Sequence, residues 1–137
     1  MVGSQTSREL EFNSVPENIN KVEAFVEVLK TDLDLSEEME ANVLVSLTEA
    51  VNNAIVHGNK KNPEKKVAIK LEKDASALVF TVEDEGEGFD PAIIVDPTAP
   101  ENIDKPSGRG IFLMRNLADK VEFSEGGRRV TIAFNLA

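Results

Sequence analysis

The chain has 137 residues, enough for one domain with one sizeable core, and its 41% hydrophobic and 29% charged residues suit a globular protein. A net charge of −10 argues against sequence-independent nucleic-acid binding, which needs cationic surface to displace counterions. The absence of Cys excludes a disulfide framework and a thiolate metal site, and a single histidine, His57, excludes His-rich zinc chemistry and any Ser-His-Asp triad not built on it.

Residues 1–7 are small and polar and read as a frayed start. Arg8 to Val15 alternates, with Leu10 and Phe12 on one face, which predicts a strand. Pro16, Glu17 and Asn18 open a helix, and Ile19, Val22, Phe25, Val26 and Leu29 carry helical spacing to about Leu33. Ser36 followed by Glu37, Glu38 and Met39 is an N-cap signal for a second helix reaching about Val56, with Gly58 as its C-cap. Asn59 to Lys66 is a polar loop with four lysines. Val67 to Glu72 and Leu78 to Val82 read as strands. Pro91 to Val95 holds one short helical turn. Asp96 to Gly108 is a long proline-containing loop of the kind that serves as a lid. Gly110 to Lys120 regains helical spacing, and Val121 to Phe123 and Arg128 to Leu136 flank Gly126 and Gly127 as a hairpin. This order predicts an α+β fold, a two-layer α/β sandwich with a mostly antiparallel sheet and helices on one face. No repeat or domain boundary interrupts it, so one domain over 1–137 is expected. With no signal peptide and no apolar run long enough to span a bilayer, no membrane contact and a cytoplasmic location are expected.

Three stretches carry chemistry. On the second helix, about 100° per residue puts Leu44, Leu47, Val51, Ala54 and Ile55 on one side. Glu49, Asn53 and His57 fall opposite, with Asn42 and Ser46. A carboxylate and a carboxamide one turn apart, roughly 6 Å, could hold a hydrated divalent cation and polarise a proton, although the row alone also fits a solvated polar face. Second, Asp84, Gly86 and Gly88 form D-x-G-x-G directly after a strand. The glycines permit a sharp turn and close approach to a flat ligand, and the aspartate can accept from an exocyclic amine. An ordinary acidic turn would look the same. Third, Ser107, Gly108, Arg109, Gly110 and Ile111 open a helix whose free N–H groups suit anionic oxygen, with Lys105 just before; a hinge is the alternative. No Gly-Lys-Ser/Thr makes it a P-loop, and no G-x-G-x-x-G follows a first strand.

The order and spacing of the three resemble the N, G1 and G2 boxes of the GHKL (Bergerat) ATP-binding fold. EAVNNAIVHGN, VEDEGEGFDP and SGRGIFLMRNLADKVEF are most similar to its small stand-alone branch, the anti-sigma-factor serine/threonine kinases of sporulation and stress control. The resemblance implies ATP or ADP and Mg²⁺ as cofactors. It implies Glu49 as general base and Asn53 as the Mg²⁺ ligand. Asp84 would hold the adenine amino group, and Gly86, Gly88 and Phe89 would shape the pocket. Lys105, Ser107, Gly108, Arg109, Gly110, Ile111 and Phe112 would form the lid, and Thr131 would assist Asp84. His57 either borders the phosphates or finishes the helix. Partners implied are a sigma factor and an anti-anti-sigma (STAS-type) protein, with no direct nucleic acid. A homodimer through Leu10, Phe12 and the first helix is also implied. Pro106 stands where the branch often has arginine, so a nucleotide-gated binding module without significant kinase activity is the alternative. A sensor-histidine-kinase catalytic domain would need a phosphoacceptor histidine on a separate hairpin, and a gyrase-like motor a transducer domain; the sequence has neither.

Overall fold

A computed structural model describes residues 6–86 and 106–136, with the backbone alone for 106–111. Strand β1, Thr6–Asn13, starts earlier than its side-chain alternation predicts, because Thr6 and Ser7 pair with Lys73 and Glu72. Those two residues are therefore not frayed, whereas Ser14 and Val15 have left the strand.

A 3-10 turn at Pro16–Asn18 leads into α1, Ile19–Asp32, which buries Val22, Val26 and Leu29 at helical spacing. Helix α2, Glu37–Asn53, is capped as its sequence predicts. The Ser36 Oγ accepts from the Met39 N–H at 3.0 Å, and Glu37, Glu38 and Glu40 lie at the positive end of the helix dipole. Ser36→Ala should lower stability by about 1 kcal/mol, read as a melting-temperature fall of about 4 °C.

Strands β2, Lys66–Lys73, and β3, Ala77–Asp84, form a hairpin whose reversal is held by Asp74 Oδ1, which accepts from the N–H groups of Ser76 and Ala77. Helix α3, Pro106–Leu117, then precedes β4, Lys120–Ser124, and β5, Arg129–Asn135. The strand order is β1-β2-β3-β5-β4, and every neighbouring pair is antiparallel. The β4–β5 connection spans four residues, with Glu125, Gly126 and Gly127 all at positive φ, so it is wider than a two-glycine turn.

The period-2 pattern sends Val67, Ile69, Leu71, Leu78, Phe80, Val82, Val130, Ile132 and Phe134 to one buried face, where they share a core with Leu29, Leu47 and Val51 of the helices. Phe80 and Phe134 meet edge-on with ring centroids 6.1 Å apart. The opposite face is polar. Its broad concavity of about 710 Å³, flanked by Glu9, Lys70, Glu83 and Arg129, follows the sheet surface and does not include Asp84.

Two expectations change here. Helix α3 begins at Pro106, four residues before Gly110, because proline fits the first helical position, where its missing N–H is not needed. The end of the expected 96–108 loop is thus helical, and Lys120 belongs to β4. Phe12 is 3% exposed and packs into its own core with Leu10 beside it, so the Phe12 side chain is not available to a second subunit. What β1 offers is its backbone edge, since it is an outer strand.

Candidate functional site

Helix α2 supplies the site's central side chain. Asn53 is 6% exposed and Ser46 is fully buried, while Glu49 is half-buried and His57 exposed. The polar row is therefore only partly solvated: α3 packs against α2, and its Met114 lines the same cleft as Asn53. Ser46 Oγ and Asn53 Nδ2 are both buried, and neither has a hydrogen-bond partner among the described residues. Leaving such a group unpaired costs about 1–3 kcal/mol, and the Asn53 Nδ2 hydrogens could donate to an acceptor oxygen brought into the cleft.

At Asn53 the α-helix gives way to a π-helical turn, Ala54–Gly58, closed by Asn59 N–H donating to the Ala54 carbonyl at 2.7 Å. This wider turn carries Gly58 to the end of β3. An added Cβ on Gly58 would lie 2.3 Å from Asp84 Oδ2, and one on Gly86 would lie 1.8 Å from the Gly58 carbonyl oxygen. Gly58 is thus not a left-handed helix cap. Among the described glycines only Gly126 and Gly127 have positive φ, and the left-handed residues after the turn are Lys60 and Lys61. Gly58 is needed for close approach.

Asp84 ends β3 on the inner face and is 5% exposed. Its Oδ1 accepts from the Gly86 N–H at 2.8 Å, and its own N–H donates to the Arg128 carbonyl at 3.0 Å. Burial pushes the Asp84 carboxyl above the ordinary carboxylate value, opposed by the Gly86 hydrogen bond and the Arg128 charge. Asp84 and Asn53 line one cleft, with Ala50, Val82, Met114 and Val130 as apolar walls and Arg128 beside them. The cleft encloses about 10 Å³, with the fully buried Met114 in its wall, so a flat ring entering beside Asp84 has to displace side chains of α3.

The structure brings Asn53, Asp84 and Gly86 together. It does not bring Thr131 to Asp84. Thr131 pairs with Thr81 on the outer face of the sheet, and the residue on the cleft side is its neighbour Val130. The cause is the two-residue period of a strand, which turns adjacent side chains to opposite faces. Glu49 lies outside the cleft lining, in a separate depression with Ile19, Glu23 and Thr48. His57 and Phe112 are exposed and do not line the cleft either. Ser107, Gly108, Arg109, Gly110 and Ile111 form the start of α3. Gly88, Phe89 and Lys105 lie outside the described residues, as does the expected turn at Pro91 to Val95.

Sequence reading passed over Asn59. It is 2% exposed, and its Nδ2 donates to Ser14 Oγ at 2.5 Å and to the Lys66 carbonyl at 3.0 Å. Its Oδ1 accepts from the Glu85 N–H at 2.9 Å. Its place next to Gly58, just past the apolar period, was the available signal.

No group of three or more His, Asp or Glu among the described residues could cage a metal. A hard cation that keeps its waters and takes further oxygens from a phosphate ligand would need from the protein only an oxygen such as Asn53 Oδ1.

Comparisons with known proteins agree with this fold. Residues 12–134 match the model of the histidine kinase-like ATPase domain. An anti-sigma F factor of Heyndrickxia coagulans is 35% identical over 125 residues, covering 85% of this chain and 81% of the relative. The anti-sigma F factor of Bacillus subtilis strain 168 is 30% identical over 116 residues, covering 82% and 78%. A crystal structure of the RsbU and RsbW domains of a Mycobacterium tuberculosis protein aligns with 95% of this chain at TM-score 0.62 and 15% identity; this chain spans 32% of that one, and the likeness is one of fold. The chain belongs to the histidine kinase-like ATPase family, in its anti-sigma-factor kinase branch.

Proposed function

We propose that this chain, as one ATPase domain over 1–137, is an ATP-binding anti-sigma regulatory factor with protein serine/threonine kinase activity. It sequesters a sigma factor and transfers the ATP γ-phosphate to a serine or threonine of an anti-anti-sigma partner. The observation that carries the nucleotide site is the meeting of two buried polar side chains, Asn53 and Asp84, in one cleft walled by Ala50, Val82, Met114 and Val130. The relatives' names support the sigma-factor part, and the match to the histidine kinase-like ATPase domain supports the use of ATP. A homodimer and a cytoplasmic location belong to the same reading.

In this mechanism Asp84 accepts a hydrogen bond from the adenine amino group while Val82 and Val130 wall the ring. A Mg²⁺ ion bound through Asn53 would neutralise phosphate charge. Glu49, one turn before Asn53 on α2, takes the proton of the attacking hydroxyl. By the resemblance, the start of α3 would lie over the phosphates. Incubation with Mg-ATP and candidate anti-anti-sigma proteins should place phosphate on a partner hydroxyl, and Glu49→Ala should slow that transfer by about a hundredfold or more with ATP affinity unchanged.

A second reading is a nucleotide-gated binding module with negligible transfer. It is favoured by Glu49 lying outside the cleft that Asn53 and Asp84 share. Under it, Glu49→Ala leaves the regulatory effect on the partner intact, and no partner gains phosphate.

A further inference from the structure

We infer that Asn59 is a positioning residue for base recognition, acting through the turn that carries Asp84 and Gly86. The inference rests on the nucleotide-site reading above and names a residue to which that reading gives no role. Asn59 follows the π-helical turn, so it is fixed to the end of the nucleotide helix through its own N–H. Its side chain reaches three other segments: Ser14 after β1, Lys66 at the start of β2, and Glu85 after β3. All of these bonds are inside the protein, and both Nδ2 hydrogens and Oδ1 are used.

The bond to the Glu85 N–H matters for recognition. Glu85 stands between Asp84 and Gly86, the residue whose N–H orients the Asp84 carboxylate. The Glu85 side chain is held in turn by the Lys66 N–H, so the turn is gripped at its backbone and at its side chain. A Cβ on Gly86 would strike the Gly58 backbone and one on Gly58 would meet the Asp84 carboxylate, which leaves the turn little room unless both sides keep register. Asn59 sets that register. Without it, Glu85 loses its backbone anchor beside a closely packed glycine pair, and the Asp84 carboxylate loses its aim at an exocyclic amine. Phosphate contacts made elsewhere on the ligand do not depend on this turn.

The role therefore has a signature that general destabilisation lacks. A structural defect weakens all nucleotides alike, whereas a misaimed Asp84 weakens only those bearing the amino group. The experiment titrates ATP and inosine triphosphate, whose six-position carries oxygen in place of the amine, into wild-type protein and Asn59→Ala in magnesium buffer. The wild type should prefer ATP by about tenfold or more, and Asn59→Ala should lose about tenfold in ATP affinity but less than about threefold for inosine triphosphate. Equal losses for both, or none, overturn the inference. A wild type that binds neither nucleotide overturns the nucleotide-site reading itself. Ser14→Ala removes only one outer anchor and covers the case in which Asn59→Ala does not fold. It should lower the ATP preference by a smaller factor, and an unchanged preference in Ser14→Ala then overturns the inference.

Discussion

Gly86→Ala is expected to remove nucleotide binding and to weaken the fold at once. The new Cβ would sit 1.8 Å from the Gly58 carbonyl oxygen and 2.4 Å from its carbon. Both are backbone atoms, so no side chain can rotate away, and the turn after β3 has to shift bodily. The expected loss is about 2–3 kcal/mol of stability, in the range of overpacked sites. The dissociation constant for ATP should rise by about a hundredfold, or about 2.7 kcal/mol, because Gly86 also supplies the N–H that orients Asp84. Gly58→Ala makes an instructive contrast. Its Cβ meets the Asp84 carboxylate, a side chain that can swing, so binding should suffer more than stability. Gly126→Ala is the control. It has open space around its Cβ but a φ of 66°, and it should cost about 1 kcal/mol of stability with ATP affinity unchanged. Urea denaturation and calorimetric titration of the three variants separate these outcomes.

Asp84→Asn should have opposite effects on binding and folding. Its carboxylate is buried at the end of β3, and that burial raises its proton affinity. Asparagine keeps an acceptor for the Gly86 N–H but removes the buried charge. The nucleotide-free variant should be as stable as the wild type at neutral pH or more so, by about 1 kcal/mol. ATP affinity should nonetheless fall by about a hundredfold, since the carboxylate no longer accepts from the amine. The pH dependence follows from the direction of the shift. A carboxyl whose folded-state value is raised binds protons more tightly in the folded than in the unfolded chain, so its contribution to stability grows as pH falls through the raised value and is lost as pH rises. The stability advantage of Asp84→Asn should therefore shrink on acidification from neutral pH, as the wild-type carboxyl becomes protonated. ATP affinity of the wild type should weaken over the same interval. An advantage that grows towards acid would contradict the assignment of burial as the dominant cause.

The sheet, three of its helices and their order were legible because their signals are local. Alternation in β2 and β3 sets which side chains face the core, and Ser36 marks the start of α2 by its own hydrogen bond. That Asn53 and Asp84 approach one another was legible because each lies where an element ends. What escaped was non-local. The covering of Asn53 involves Met114 of α3, more than fifty residues downstream, and the periodicity of α2 cannot include it. The π-helical turn at Ala54–Gly58 leaves no mark in apolar spacing, so Gly58 looked like a cap when its role is contact with Gly86 and Asp84. Thr131 was one residue out of phase. In a strand that single step exchanges the cleft for the outer face, and it needs the pairing of Val130 with Val82 to be seen. Asn59 binds residues 45 and 26 positions away through side-chain atoms alone, a connection no spacing rule detects.

The site's chemistry narrows to one claim, that the cleft between Asn53 and Asp84 receives the base end of an adenine nucleotide. Isothermal titration of ATP and ADP, with magnesium present, into wild-type protein and Asp84→Asn reads this directly. Saturable one-site binding by the wild type, weakened by about a hundredfold in the variant for both nucleotides, is the expected result. Equal affinities in the two proteins, or no heat of binding in the wild type, would contradict it.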